Sequence, residues 1–375
     1  MSLFQLRGKL NKQQNIILGV LGFIVLILIW WILAESLSEQ RPIVDYETRP
    51  PSAFDTTGVQ IDRDSLFRED SIRIANATEF EKVYPLLPTP AKVVQSYPEL
   101  VTEDQLMDNA LHSIWLNLKG YFWAIFISVP LGFVIGLVPL FRGLFSKQVD
   151  AMRFLPLTAL TGLFIIWFGI EDQMKVAFLA FGIIVFLLPV VVQRIDEVKD
   201  VYLKTVFTLG ATNWQTIKTV YLPSVFSVLM DDIRVLTAIS WTYIIIAELI
   251  NRQLGVGGLI YLKGRQGQID KVFGILIVII IIGFLQDRLF IYLDRRLFTH
   301  KYYKKALAGA KETHIGIYLL LALFSAAVLV PMFVTNLPAF LNSAVIIVFI
   351  TAVVIILYGE FRIWRFKAEK AEPAK

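Results

Sequence analysis

Long apolar runs separated by short polar segments make up most of the chain. Eight of these runs are long enough, at about 1.5 Å of rise per helical residue, to cross a hydrocarbon core of about 30 Å. The pattern therefore predicts an all-α membrane protein with about eight transmembrane helices. The runs cover approximately residues 16–34, 121–141, 154–170, 176–192, 233–250, 273–293, 315–334 and 340–358.

A polar stretch between the fourth and fifth runs, TLGATNWQTIKTVYLP from Thr208 to Pro223, has a different pattern. An amphipathic helix is predicted just before it, because apolar residues recur there at helical spacing. Gly210 follows this helix, at a position that favours a residue able to take a positive φ. The apolar stripe consists of Val198, Val201, Tyr202, Val206 and Leu209.

A second short helix is predicted directly after this glycine. TNWQ from Thr212 matches a capping box, in which the threonine hydroxyl and the Gln215 side chain bond the first free amides of a helix. Pro223 suits the first turn of the next membrane helix. We expect the apolar stripe to rest on the ends of the spans and to leave Leu209, Gly210 and Ala211 at the tip, for a partner on that side of the membrane.

Composition agrees with a membrane location and excludes several kinds of site. The chain has 56% hydrophobic and 18% charged residues, which is too apolar for an ordinary soluble domain. It has no cysteine, which rules out disulfides and thiolate chemistry, and its three histidines are scattered. The sequence also lacks a G-x-x-x-x-G-K-[ST] motif for binding ATP phosphates.

The distribution of Lys and Arg predicts the orientation. With the N-terminus inside, the segments on the cytoplasmic side carry 21 positive residues and the outer segments carry 12. Both termini and the stretch around Gly210 are then expected in the cytoplasm. The first run follows basic residues but is too long for a signal peptide, which predicts an uncleaved anchor.

The longest outer segment, residues 35–110, is acidic, with 15 acidic and 7 basic residues between Glu35 and Asp108. Two interpretations remain open for it. It forms either a solvated loop that covers the outer face or a docking surface for an extracytoplasmic protein.

The stretch from Thr208 to Pro223 resembles the cytoplasmic coupling loop of permease subunits of ABC importers. That loop has E-A-A, three residues, Gly, nine residues and I-x-L-P. Here Gly210 is followed by nine residues and then by Val220, Tyr221, Leu222 and Pro223. The E-A-A position is occupied by Lys204, Thr205 and Val206, which replaces a negative charge by a positive one. The resemblance implies an ATPase-coupling role for Lys204, Thr208, Leu209, Gly210, Ala211, Thr212, Leu222 and Pro223.

Further stretches resemble the nitrate, sulfonate and taurine branch of this family, in order over residues 86–298. They are LLPTPAKVV from Leu86, FLPLTALTGLFIIWFGI, WTYIIIAELI from Trp241 and LGVGGLIYL from Leu254. The resemblance implies a type I ABC importer permease core at 111–298, with the coupling loop at 195–223. Outside it lie an N-terminal tail and first helix at 1–34, the acidic segment at 35–110, and a basic linker with two extra helices at 299–375.

The resemblance implies a permease in a bacterial inner membrane that forms the path for a small solute. If the likeness extends to substrate, the solute is an anion such as nitrate, bicarbonate or a sulfonate. The implied partners are two cytoplasmic ABC ATPase subunits, a second permease copy or paralogue, and an extracytoplasmic binding protein. The ATPases would use ATP and magnesium, so we expect neither a cofactor nor catalysis in this chain.

The basic run after Asp294 predicts contact with anionic lipids rather than nucleic acid.

Polar residues within the spans are candidates for the path or its gate. Ser240, Thr242 and Tyr243 lie at mid-depth in the fifth span, where they either contact solute or pack helices. Glu248, with Gly255 and Gly257 in the following loop, is interpreted as an outer gate or as a structural tie to that loop. Arg234 lies three residues after Asp231, which predicts an ion pair.

Two other function classes remain open. One is a secondary transporter or channel driven by an ion gradient. The other is a membrane-embedded enzyme, for which Glu248, Asp231 and His112 are the candidates. Neither class accounts for the predicted helix, glycine corner and helix around Gly210.

Overall fold

A computed structural model describes residues 10–42, 80–251, 254–302, 309–333 and 339–371. These residues are almost entirely helical, as predicted. The helices are α1 Lys12–Ser36, α2 Pro90–Thr102, α3 Leu106–Leu137, α4 Pro139–Met152, α5 Thr161–Phe168, α6 Asp172–Asp196, α7 Asp200–Thr208, α8 Asn213–Thr216, α9 Leu222–Asn251, α10 Val256–Arg265, α11 Ile269–Leu297, α12 Thr299–Tyr302, α13 Ala310–Phe333 and α14 Ala339–Ala371.

Seven helices among the described residues are long and apolar enough to cross a membrane. The predicted third span, 154–170, differs from the others. It is a 3-10 turn, Leu157–Leu160, followed by the short helix α5, and together they meet α4 at an angle of 96°. The count reaches eight only if this bent pair is one span. Pro156 precedes the turn and cannot donate a backbone hydrogen bond, which favours a break there.

The described residues divide into two compact units, and the first comprises Met1–Leu106 and Ile260–Ile277. Its one departure from the all-α prediction is a short ladder, in which β1 Glu39–Pro42 pairs antiparallel with β2 Phe80–Val83. Trp30 of α1 donates its indole N–H to the carbonyl of Pro88 at 2.9 Å, next to α2. Much of the acidic segment, 43–79, lies outside the described residues, so the two interpretations of it stay open.

A buried ion cluster ties α2, α10 and α11 within this first unit. Asp104 lies 2.5 Å from Lys263 and 3.1 Å from Lys271, which also contacts Glu99 at 2.9 Å. Burial opposes ionisation of Asp104, but the two lysines outweigh it and hold the pKa of this carboxyl below its ordinary value.

The second unit, Met107–Leu259 and Val278–Lys375, contains the candidate sites. Its apolar core lies between α6 and its neighbours, with Phe178 of α6 packed on Phe164 of α5 and Ala247 of α9. The two C-terminal helices, α13 and α14, pack closely against each other. An added Cβ at Gly316 of α13 would lie only 2.9 Å from the carbonyl oxygen of Ala352 in α14. Glu360 of α14 accepts hydrogen bonds from Tyr292 and Arg296 of α11, which attaches the hairpin to the preceding helix.

Candidate functional site

The corner after α7 has the backbone of a Schellman motif. Gly210 has a φ of +75°, which a glycine adopts without steric strain. Its amide donates to the Phe207 carbonyl at 3.0 Å, and the Ala211 amide donates to the Val206 carbonyl at 3.0 Å. These two bonds satisfy carbonyls that the end of the helix would otherwise leave free. The predicted glycine corner is therefore present.

The predicted capping box at Thr212 is present as well. The Gln215 amide donates to the Thr212 hydroxyl oxygen at 3.3 Å, and the Thr212 amide donates to the Gln215 side-chain oxygen at 2.8 Å. Both contacts join residues three positions apart, which fixes where α8 begins.

The second helix is not a separate short element as predicted. It continues through a π-helical turn, Ile217–Tyr221, into α9, so that one span runs from Asn213 to Ile250. Within the turn the Leu222 amide donates to the Ile217 carbonyl, five residues back. Pro223 lacks an amide hydrogen and cannot make the ordinary bond to the fourth residue before it, which favours the wider turn. The corner is thus joined to a membrane span without a flexible loop.

The apolar stripe of α7 does not rest on the spans as expected. No residue of α7 is buried, and Val201 and Tyr202 are exposed. At the corner Leu209 is 80% exposed and Trp214 is 69% exposed. We use the name coupling corner for residues 201–216. The other predicted coupling residues also lie at or near the surface: Lys204, Thr208, Gly210, Thr212 and Pro223 are exposed, and Ala211 and Leu222 are half-buried.

Arginine and carboxylate pairs join the helix ends next to the coupling corner. Arg194 of α6 donates to both carboxylate oxygens of Asp232 in α9 at 2.7 Å each, and to Glu197 at 2.5 Å. The hydrogen bond from this guanidinium holds the pKa of Glu197 below its ordinary value. Arg142 of α4 makes a two-point contact with Asp196 at the end of α6. Sequence reasoning did not single out the pairs of Arg194 with Asp232 and of Arg142 with Asp196, because these partners are 38 and 54 positions apart in the chain.

At the opposite end of α9, Glu248 forms a buried junction with the glycine loop. Its carboxylate accepts from the Ser113 hydroxyl at 2.6 Å and from the Gly257 amide at 2.8 Å. The Ser113 oxygen also accepts from the Val256 amide at 3.0 Å. Glu248 is only 1% exposed, and an added Cβ at Gly255 would collide with its carboxylate. The structure therefore brings together Glu248, Gly255 and Gly257, which we call the loop junction.

More polar groups complete the surroundings of the loop junction. The Gly255 amide donates to the Asn109 side-chain oxygen at 2.7 Å. Lys175 of α6 is 1% exposed and donates to Asp172 at 3.0 Å and to the Leu254 carbonyl at 3.4 Å. Asp172 lies 3.2 Å from a ring nitrogen of His112. A charged lysine is costly to bury, and here a carboxylate and a carbonyl compensate for the loss of water.

A line of buried hydrogen bonds continues from this junction between α3 and α9. The Asn117 amide donates to the Ser240 hydroxyl oxygen at 3.0 Å, and the Tyr121 hydroxyl donates to Thr237 at 3.3 Å. The α3 residues were missed in the sequence, although Asn109, Ser113, Asn117 and Tyr121 recur at intervals of four and share one helix face.

The three mid-depth candidates of α9 point in different directions. Ser240 is fully buried against α3, whereas Thr242 is exposed. Tyr243 packs edge-on against Phe178 of α6, with ring centroids 6.3 Å apart, and lies over Gly182. The structure therefore does not gather these three hydroxyl groups into one site.

The predicted pair between Arg234 and Asp231 is absent. Arg234 instead contacts Asp287 of α11. Asp231 contacts Lys301 at 2.6 Å. Residues three apart on a helix are close enough to form an ion pair. Here each of the two side chains contacts a residue of another helix instead.

Three comparisons with known proteins show what this chain is similar to. Residues 128–299 match the family model described as binding-protein-dependent transport system inner membrane component. The chain is 27% identical over 215 residues to SsuC of Bacillus subtilis, named as an aliphatic sulfonates transport permease, covering 56% of this chain and 77% of SsuC. It is 27% identical over 216 residues to the taurine transport system permease TauC of Escherichia coli, covering 56% of this chain and 78% of TauC. A solved amino acid ABC transporter with histidines aligns at a TM-score of 0.41 and 17% identity, over 57% of this chain and 100% of its own.

Proposed function

Because residues 128–299 match the family model of binding-protein-dependent transport system inner membrane components, we propose that this chain is the membrane subunit of an ATP-driven ABC importer. It forms the path for a small organic anion of the sulfonate class, as the names of its relatives suggest. It acts with two ABC ATPase subunits, a second permease copy or paralogue, and a substrate-binding protein. ATP and magnesium are bound by the ATPases.

The observation that carries this proposal is the exposed coupling corner. Leu209 and Trp214 present apolar surface that nothing among the described residues covers, on a backbone fixed by a Schellman motif and a capping box. An exposed apolar surface of this kind suits a groove on a partner protein. The uninterrupted helix from Asn213 to Ile250 would carry a displacement of that partner directly into the membrane.

The proposed orientation of the chain in the membrane rests on the distribution of Lys and Arg. With the bent pair counted as one span of a bacterial inner-membrane protein, the coupling corner and both termini lie in the cytoplasm, because the segments on that side carry 21 Lys and Arg against 12 outside. The loop junction then lies near the outer face, where we propose that it acts as a gate. Ser240, Thr242 and Tyr243 remain candidates for the path.

The corner is tested by capture of the ATPase. The full chain is purified in mild detergent from its native host, and co-eluting proteins are identified by mass spectrometry. We expect an ATPase with wild type and with Gly169→Glu, and its loss with Gly210→Glu. Gly169 is a matched control because its φ is +76°, because no atom lies within 4 Å of an added Cβ, and because it lies at the other end of α6. Equal ATPase recovery with both variants, or none with wild type, would contradict the proposal.

The gate is tested with Glu248→Gln. Glutamine keeps one oxygen acceptor for the loop but removes the charge, so solute uptake in vesicles should fall while the protein remains folded. Unchanged uptake together with unchanged thiol accessibility of a cysteine placed at Thr242, which is exposed, would leave Glu248 a purely structural tie.

A further inference from the structure

A cavity of about 490 Å³ lies between α4, α6 and α9, on the side of the second unit where the coupling corner is found. One part of its wall is polar and includes Arg142, Ser146 and Arg153. The other part is apolar and includes Phe186 and Leu236. Phe186 precedes Asp196 at the end of α6 by ten residues, so the cavity extends about 15 Å along that helix.

The polar wall holds two guanidinium groups whose carboxylate partners are exposed. Arg142 contacts Asp196, and each side chain is 44% exposed. Arg153 contacts Asp150 at 2.8 Å, with side chains 47% and 54% exposed. Because both ion pairs are open to water, another oxyanion of suitable geometry can compete with the carboxylates for the planar guanidinium groups. The acidic partners keep the empty wall electrically neutral.

Little space remains next to the apolar end of the cavity. Beyond Phe186 there remains a space of about 10 Å³ bordered by Leu157, Gly182 and Tyr243, which is at the lower limit for a single water molecule. A solute that entered past the arginines would therefore stop at Phe186 in this conformation. The cavity has the two features of a small-molecule site: a polar group that orients the ligand and an apolar wall that covers the rest of it.

Resting on the transport function proposed above, we propose that this cavity is a vestibule of the solute path that binds a small organic anion. The sulfonate or carboxylate group of the solute lies on the guanidinium groups of Arg142 and Arg153. Its carbon skeleton packs against Phe186 and Leu236. Ser146 lies on the same wall, so a cysteine at this position can report whether the vestibule is occupied.

The test uses the absence of cysteine from the chain. Ser146→Cys is introduced into the full-length protein in lipid nanodiscs, and its reaction with N-ethylmaleimide, a neutral reagent, is followed over time. Ethanesulfonate should slow the reaction, reaching about half of the full protection at a concentration equal to its Kd. Ethanol and choline, which lack the anionic group, should give no protection.

Two matched variants assign the protection to the vestibule. Gln148→Cys places the thiol on the same helix but outside the cavity wall, and ethanesulfonate should leave its reaction unchanged. In Ser146→Cys combined with Arg142→Gln and Arg153→Gln, the concentration for half protection should rise at least about tenfold, which corresponds to about 1.4 kcal/mol. An unchanged reaction rate without ethanesulfonate shows that this variant keeps its fold.

The proposal is overturned if ethanesulfonate gives no protection, if choline or ethanol protects equally, or if protection persists without the two arginines. The outcome is independent of the ATPase. Protection by ethanesulfonate without ATPase capture would support the vestibule and refute the role of the coupling corner. ATPase capture without protection would support the coupling corner and refute the vestibule.

Discussion

Gly210 and Gly255 both have a positive φ, +75° and +126°, yet their surroundings differ in every other respect. Around Gly210 no atom lies within 4 Å of an added Cβ, and its neighbour Leu209 is 80% exposed. Around Gly255 an added Cβ would meet the carboxylate of Glu248, which is 1% exposed. Gly210 meets only the requirement for a positive φ. Gly255 meets the same requirement and also leaves room for the buried carboxylate of Glu248.

This difference separates two kinds of candidate site. At the loop junction the polar groups are hydrogen-bonded to one another, because each oxygen of Glu248 already accepts a hydrogen bond from the chain. The coupling corner leaves its apolar side chains uncovered. Changes at the loop junction should therefore affect stability first, and changes at the coupling corner should affect binding of a partner first.

The largest expected effect on stability is that of Gly255→Ala. The methyl group adds backbone strain and a collision with a buried carboxylate, so the free energy of unfolding should fall by about 3 kcal/mol or more. Thermal unfolding in detergent measures this loss. Gly169→Ala is the control, since it has a positive φ in open space and should cost only about 1 kcal/mol. Equal losses would erase the distinction between the two glycine environments.

Removing the carboxylate should have the next largest effect. Glu248→Ala leaves the Gly257 amide without its acceptor and creates a cavity, for a loss of about 2–4 kcal/mol. Glu248→Gln retains an oxygen for that amide and should lose about 1 kcal/mol or less. Chemical denaturation of both variants provides the comparison. If alanine and glutamine were tolerated equally, the hydrogen bonds of the loop junction would not contribute to folding.

At the coupling corner, Gly210→Val should destabilise the protein by only about 1–2 kcal/mol, because strain is the single cost. Gly210→Asn should cost less, since asparagine tolerates a positive φ. Circular dichroism during heating follows the series. If Gly210→Val lowered the free energy of unfolding as much as Gly255→Ala does, other residues would have to pack against the coupling corner in the purified protein.

The smallest effect on stability is expected for Leu209→Ser, within about 0.5 kcal/mol, because the side chain is 80% exposed. Its effect on ATPase capture should be among the largest. Co-purification yield, normalised to the amount of permease, measures it, with Leu163→Ser in α5 as an exposed control elsewhere. Full capture with Leu209→Ser would place the partner away from the coupling corner.

Sequence patterns predicted the local features of the coupling corner well. Gly210 at the helix end and the capping box at Thr212 are both present, because each depends on residues within six positions of one another. The merging of α8 into α9 was missed, since Pro223 was interpreted only as the start of a helix. The wider turn that accommodates this proline depends on the whole span being continuous.

The loop junction and the hydrogen bonds between α3 and α9 were predicted only in part. Glu248 and the glycines after it were selected correctly as neighbours, since they are close in sequence. Their contacts with Asn109 and Ser113, and that of Ser240 with Asn117, join residues more than 100 positions apart. The pair predicted between Arg234 and Asp231 was wrong for the same reason, because partners on other helices competed with the local one.

By itself, the sequence determined that this is a mainly helical, multi-span membrane protein and where the corner at Gly210 turns. Those properties follow from hydrophobicity, helical period and backbone preference, which act over a few residues at a time. Only the tertiary structure decided which polar side chains are satisfied internally and which surfaces remain open. A buried hydrogen bond or a cavity wall requires groups from several helices to meet, and no spacing along one helix specifies that meeting.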